Sequence, residues 1–184
     1  MVQNIEITIA SKTHLEYVPE IKEAIYQASL KKGTGIAVRS TEYLKAKIEE
    51  GKAVIALGNE GLWAGFCYIE SWGHNKFVAN SGLIVSSAFR GAGLASEIKK
   101  RALELSARIF PGAQLFGLTT SLAVMKINSG LGYQPVTFSE LTDDDEFWEG
   151  CKTCPYYDIL VRTKQDDCLC TAMVMDPKKK SKVN

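Results

Sequence analysis

At 184 residues the chain is long enough to bury about two thirds of its unfolded surface in one domain without disulfides. Its 22 Lys+Arg against 21 Asp+Glu leave a formal net charge of +1, so no broad field holds nucleic acid or a membrane surface. No apolar run approaches the ~20 residues that span a bilayer, and Met1-Val2-Gln3-Asn4 lacks the charged start and apolar core of a signal peptide. A cytoplasmic location with reduced thiols is therefore expected.

In chain order, Ile5-Glu6-Ile7-Thr8-Ile9 alternates like a half-buried strand, and Val18, Ile21, Ile25 and Ala28 then recur at helical spacing up to Lys32, where Gly33-Thr34-Gly35 stops the run. A shorter helix is predicted from about Thr41 to Glu50. Residues 53–57, 63–69 and 77–85 follow as three strands; Asn59-Glu60-Gly61 and Gly73-His74-Asn75 are turns, which makes them an antiparallel meander. From Leu94 a helix places Leu94, Ile98, Leu105 and Ile109 on one stripe, with Glu97, Lys99, Lys100, Arg101 and Glu104 on its other faces, and Pro111-Gly112 ends it. A buried strand over 115–119, a helix from about Ser121 and a strand beginning near Gln134 complete a domain over 1–142. Residues 143–175 are expected as a Cys-rich extension completing that domain, and the basic tail 176–184 as a solvated, frayed end. Asp143-Asp144-Asp145-Glu146 is expected as a solvated loop, since consecutive carboxylates do not converge on one cation unaided.

The stretch from Leu83 to Ala95 carries the strongest chemical signal. An apolar strand empties there into a turn broken by Gly91 and Gly93, and a helix follows. The first N–H groups of a helix have no intrahelical acceptor and sit at the positive end of its dipole, so a phosphate supplies what they lack. Without Cβ atoms the two glycines let backbone approach a ligand closely, and Arg90 adds charge at the mouth. The same pattern also fits an ordinary glycine turn before a surface helix.

Arg90-Gly91-Ala92-Gly93-Leu94-Ala95 fits the Arg/Gln-x-x-Gly-x-Gly/Ala signature of the GCN5-related N-acetyltransferase (GNAT) superfamily, with Leu83-x-Val85 as the strand before it. Downstream, Ser129-Gly130-Leu131-Gly132-Tyr133 is similar to that family's Leu-Gly-Phe/Tyr. The resemblance covers roughly residues 52 to 137. It implies an α/β fold with a central, mostly antiparallel mixed sheet flanked by helices, and direct attack of an amine on acyl-CoA. It further implies that Gly91, Ala92, Gly93, Leu94 and Ala95, with Arg90, hold the diphosphate. Leu83, Ile84 and Val85 would pair with pantetheine like an added strand, Ser121 and Asn128 would also meet the cofactor, and the N–H of Ile84 or Val85 would stabilise the oxyanion. Two positions depart from the family. Asn128 stands where many members carry an acidic tyrosine hydroxyl, and Ala79 where a carboxylate often lies on the central strand. Glu70, working through water, is the candidate base; a strand-end Glu is otherwise just solvated, and His74 lies in a turn without a special role.

Val38-Arg39-Ser40, Leu115-Phe116-Gly117-Leu118-Thr119-Thr120, Cys151-Lys152-Thr153-Cys154-Pro155 with Cys168, and Met173-Val174-Met175-Asp176 look like the short N-acetylglutamate synthases in the same order. That likeness implies glutamate as acceptor, with Arg39 pairing its carboxylate and Ser40 and Thr120 beside it; Arg39 fits equally a surface residue at a helix start. The synthases' aromatic pair is missing, with Met125, Lys126, Ile127 and Asn128 in that region. A succinyl donor would need a cation near the thioester, for which Lys126 or Arg39 is available. Cys151, Cys154, Cys168 and Cys170 suit a zinc site, unliganded thiols or a redox pair, while Cys67 is a small core residue. The expected function is transfer of an acetyl or succinyl group from acyl-CoA to a small amine, with glutamate foremost. Another amine, or a degenerate CoA-binding sensor, is the alternative.

Overall fold

The structure is a computed structural model that describes residues 4–142 and 144–175. The basic tail and Asp143 lie outside the described residues.

The strands β1 (Glu6–Ile9), β2 (Ala53–Leu57), β3 (Trp63–Trp72), β4 (Phe77–Val85), β5 (Gln114–Thr119), β6 (Tyr133–Val136) and β7 (Thr171–Met175) form one seven-stranded sheet in the order β1-β2-β3-β4-β5-β7-β6. Every pairing is antiparallel except that of β4 with β5, because a helix crosses between them while tight turns join β2, β3 and β4. Pro135, which cannot donate to a ladder, sits in the edge strand β6. Residues beyond Thr142 supply β7, which slots between β5 and β6, and the short helices α5 (Asp145–Glu149) and α6 (Tyr157–Arg162). Asp144 is no free loop residue: it caps α5 through the Glu146 N–H at 2.9 Å and accepts from the Gly73 N–H at 2.7 Å.

On one face of the sheet, α1 (Val18–Ser29) and α2 (Thr41–Glu49) bury Val18, Ile21, Ile25, Leu44 and Ile48 against Ile55, Phe66 and Tyr68. The opposite face packs Leu94, Ile98, Ala102 and Leu105 of α3 (Leu94–Ile109) on Val54, Ala64, Ile69 and Val78. A third core, built on Trp72, Phe116, Phe147 and Trp148, fastens α5 and α6 to the β5–β7 half. The remaining helix, α4 (Leu122–Gly130), follows β5. Lys99 departs from the stripe expected of α3: it is not on an outer face but 2% exposed inside the protein.

Two features open the sheet. Pairing of β4 with β5 runs only from Phe77↔Gln114 to Ala79↔Phe116, although β4 continues to Val85 and β5 to Thr119. The β3–β4 register also shifts between Phe66↔Ile84 and Tyr68↔Ser81, which puts an extra residue into β4 at Gly82. Gly82 has φ +61, and a Cβ there would lie 2.2 Å from Cε1 of Tyr68. Gly82→Ala should therefore cost about 2 kcal/mol or more from left-handed strain and the clash, lowering Tm by roughly 4–8 °C in a thermal melt.

Candidate active site

Where β4 and β5 part, they leave a cleft of about 210 Å³. Leu83 lines it from β4, Ser121 and Asn128 from the α4 side, and Thr120 from the end of β5. Ile84 and Val85 have their backbones paired against Phe66 and Gly65, and their side chains stay out of the cleft wall.

The N-terminus of α3 stands apart from those of α2 and α4. Ser40 caps α2 by accepting from the Tyr43 N–H, and Ser121 caps α4 by accepting from the Val124 N–H. α3 starts instead on Gly93 at φ +79, with no side chain as cap. Gly91, at φ +88, and Gly93 would each carry a Cβ into space holding no protein atom within 4 Å. Free helix-end donors and open space together make a fit for a diphosphate. Arg90 braces this turn, its Nε donating to the Val85 carbonyl at 3.0 Å. Ser40, spent on capping α2, does not line the cleft.

Glu70 enters the same cleft from β3, where it lies directly opposite Ala79. Cross-strand partners share a face, so the carboxylate absent at position 79 is supplied from the neighbouring strand. The Tyr43 hydroxyl donates to Glu70 Oε1, and Arg39 Nη2 approaches the same oxygen at 3.5 Å. Arg39 is thus engaged by its own chain: Nε donates to the Tyr68 hydroxyl at 3.0 Å and Nη1 to the Gly150 carbonyl at 2.9 Å. Burial works against its charge, but Tyr68, Glu70 and Tyr43 together raise its pKa. Burial and the nearby carboxylate hold both tyrosine hydroxyls above their ordinary range. Thr120 accepts from the Gly35 N–H at 2.9 Å and fixes the loop that brings Arg39 in.

On the other side of the cleft is Lys99. Its Nζ donates to the Asn80 carbonyl at 3.0 Å and lies 5.6 Å from the centre of the Tyr133 ring; among the described residues it has no acidic partner. Burial depresses its pKa. Asn128 Nδ2 meets Met173 Sδ at 3.7 Å, while its Oδ1 is buried without a donor. Lys126 is exposed and outside the cleft wall, so it is not the cation expected near a thioester.

Of the three readings of the cysteines, the zinc site finds no support. Among the described residues no group of three or more Cys, His, Asp or Glu side chains is arranged to hold a metal, and all five cysteines are free thiols. Cys151, Cys154 and Cys170 instead form part of the cleft wall, where burial pushes the Cys151 thiol up to about 12 and raises Cys154 and Cys170 as well. Cys151, Cys168 and Cys170 also pack against the third core, as small apolar side chains do.

No helix among the described residues is long and apolar enough to cross a membrane. No protein-family model matches the chain, and no curated protein matches it in sequence. Its fold is similar to that of N-acetylglutamate synthase from Neisseria gonorrhoeae complexed with coenzyme A and N-acetyl-glutamate, with TM-score 0.67 and 17% identity over 94% of this chain and 35% of that one. A Mycobacterium tuberculosis protein in complex with CoA matches at TM-score 0.66 and 15% identity, over 92% and 98% of the two chains. A GNAT superfamily phosphinothricin acetyltransferase from Sinorhizobium meliloti, in complex with AcCoA, matches at TM-score 0.60 and 14% identity, over 95% and 87%. The chain spans about a third of the length of the gonococcal synthase. On these overall structural similarities the chain has the fold of the GNAT acetyltransferases.

Proposed function

We propose that the protein is an acyl-CoA-dependent N-acyltransferase acting on a small amine, with glutamate as the favoured acceptor. The carrying observation is the uncapped, glycine-opened start of α3 beyond the end of β4, a strand that also walls a cleft holding a buried carboxylate, Glu70. Bound acyl-CoA supplies an activated carbonyl and a thiolate leaving group. The N–H groups of residues 91 to 95 hold the diphosphate, and the edge of β4 left unpaired beyond Ala79 holds the pantetheine amides. Fixing that arm positions the carbonyl, and a backbone N–H on the unpaired edge of β4 takes the charge that develops on its oxygen. Glu70, directly or through water, accepts the proton of the attacking amine. Arg39 lines the same cleft, and its guanidinium, already held by Tyr68 and Gly150, is the cation that an acceptor carboxylate would share with Glu70. Glutamate rests on Arg39, on the sequence likeness to the short synthases, and on the gonococcal neighbour's ligand.

Two measurements test this reading. At 100 times its Kd, CoA should add about 2.7 kcal/mol of stability and raise Tm by roughly 5–10 °C. With acyl-CoA present, thiol release should follow addition of glutamate and not of a diamine. An unchanged Tm at millimolar CoA would remove the cleft assignment itself.

A further inference from the structure

Lys99 is an unusual residue to bury. A lysine ammonium taken out of water without a counter-charge is costly, and such groups normally pair with a carboxylate or neutralise. Here one N–H of Nζ goes to a carbonyl and the charge faces a tyrosine ring, yet the side chain is 2% exposed and lines the acyl-CoA cleft. A structural lysine would satisfy the Asn80 carbonyl equally well as a cheaper hydroxyl or amide, so its charge asks for a different explanation.

Its location supplies one. Asn80 directly follows Ala79, the last β4 residue paired with β5, so Nζ sits where the two strands begin to part. The diphosphate cradle of α3 lies beyond the other end of β4, where Arg90 donates to the Val85 carbonyl. From Val85 back to Asn80 the strand covers roughly 16 Å, comparable to an extended pantetheine arm. An arm laid along β4 from the cradle therefore delivers its acyl group to Lys99. An acetyl group would bring a methyl to a buried ammonium, whereas an acyl group with a distal carboxylate would bring the missing counter-charge.

We propose that the acyl group transferred by this protein ends in a carboxylate, as in succinyl- or malonyl-CoA, and that the Lys99 ammonium binds it. This rests on the cleft being the acyl-CoA site. The transfer itself is ordinary: the amine nitrogen bonds to the thioester carbon, the C–S bond breaks with its electron pair leaving on sulfur, and the amine proton passes to Glu70. The distal carboxylate is carried unchanged into the product amide. Lys99 is thus a specificity residue for the donor.

Isothermal titration of the full chain with CoA, acetyl-CoA, succinyl-CoA and malonyl-CoA tests the idea. A charge-assisted contact predicts that one of the carboxylated donors binds roughly 10- to 100-fold more tightly than acetyl-CoA. Lys99→Met should weaken that donor at least about tenfold more than it weakens acetyl-CoA. If CoA binds and wild type holds acetyl-CoA as tightly as both carboxylated donors, the inference is overturned while the cleft assignment stands. If CoA itself does not bind, both fall. The wild-type panel decides the matter even if Lys99→Met does not fold.

Discussion

Glu70→Gln is expected to lower kcat by roughly 10²- to 10³-fold while leaving CoA affinity unchanged. Gln has the volume of Glu and keeps an oxygen for the Tyr43 hydroxyl, but it has no basicity for the amine proton. The carboxylate is well placed for this loss to show. It is 7% exposed, lies across from Ala79, and no second carboxylate lines the cleft among the described residues. The substitution also removes the counter-charge of Arg39. That guanidinium keeps its bonds to Tyr68 and Gly150, so the stability loss should be modest beside the kinetic one. Tyr43→Phe separates the two effects, since it removes the hydroxyl that orients Glu70 and spares the base. Its kcat should fall less than that of Glu70→Gln. A Glu70→Gln enzyme that turns over within about threefold of wild type would discard Glu70 as the base.

The sheet was legible where neighbours in sequence are neighbours in space. The strands β2, β3 and β4 announce themselves by apolar runs between turns, and the α3 turn by glycines that do adopt positive φ. Even the pairing of Glu70 with Ala79 follows from the hairpin: His74 and Asn75 both have positive φ, as a type I′ turn requires, and the two strands fold symmetrically about them. Taken with the gap at Ala79, that register points to Glu70 more directly than its place near a strand end. Insertion of β7 between β5 and β6 had no such local signal, because it pairs segments far apart in sequence. The cysteine spacing misled for a related reason. Spacing suggests a tetrahedral site, but the thiols fall between α5, α6 and the start of β7, where they pack in the third core and the cleft wall. Lys99 was hidden by the stripe of large apolar residues on α3. A second, quieter stripe was present: Ala95, Ala102 and Ser106 lie at helical spacing from Lys99, and small residues there let the helix approach β4 with the lysine between them. Ser106 accepts from Asn80 Nδ2 at 2.7 Å, which completes the polar lining around the ammonium.

Gly93→Val should raise the Kd for CoA by roughly 10²- to 10³-fold, the equivalent of losing about two charge-assisted hydrogen bonds. The argument needs care, because φ +79 makes any side chain at this position strained, and strain alone costs about 1–3 kcal/mol. Strain acts on stability, whereas loss of binding requires that the new methyl groups fill space belonging to the ligand. A matched control exists within the chain. Gly112 has φ +84 and, like Gly93, no protein atom within 4 Å of a notional Cβ, but it lies beyond the opposite end of α3. Gly112→Val should therefore lower Tm about as much as Gly93→Val and leave CoA binding intact. Titration calorimetry on both variants, with melts in the absence of ligand, separates the two contributions. Equal CoA affinity in the two variants would mean that the start of α3 is an ordinary turn and that the diphosphate is held elsewhere.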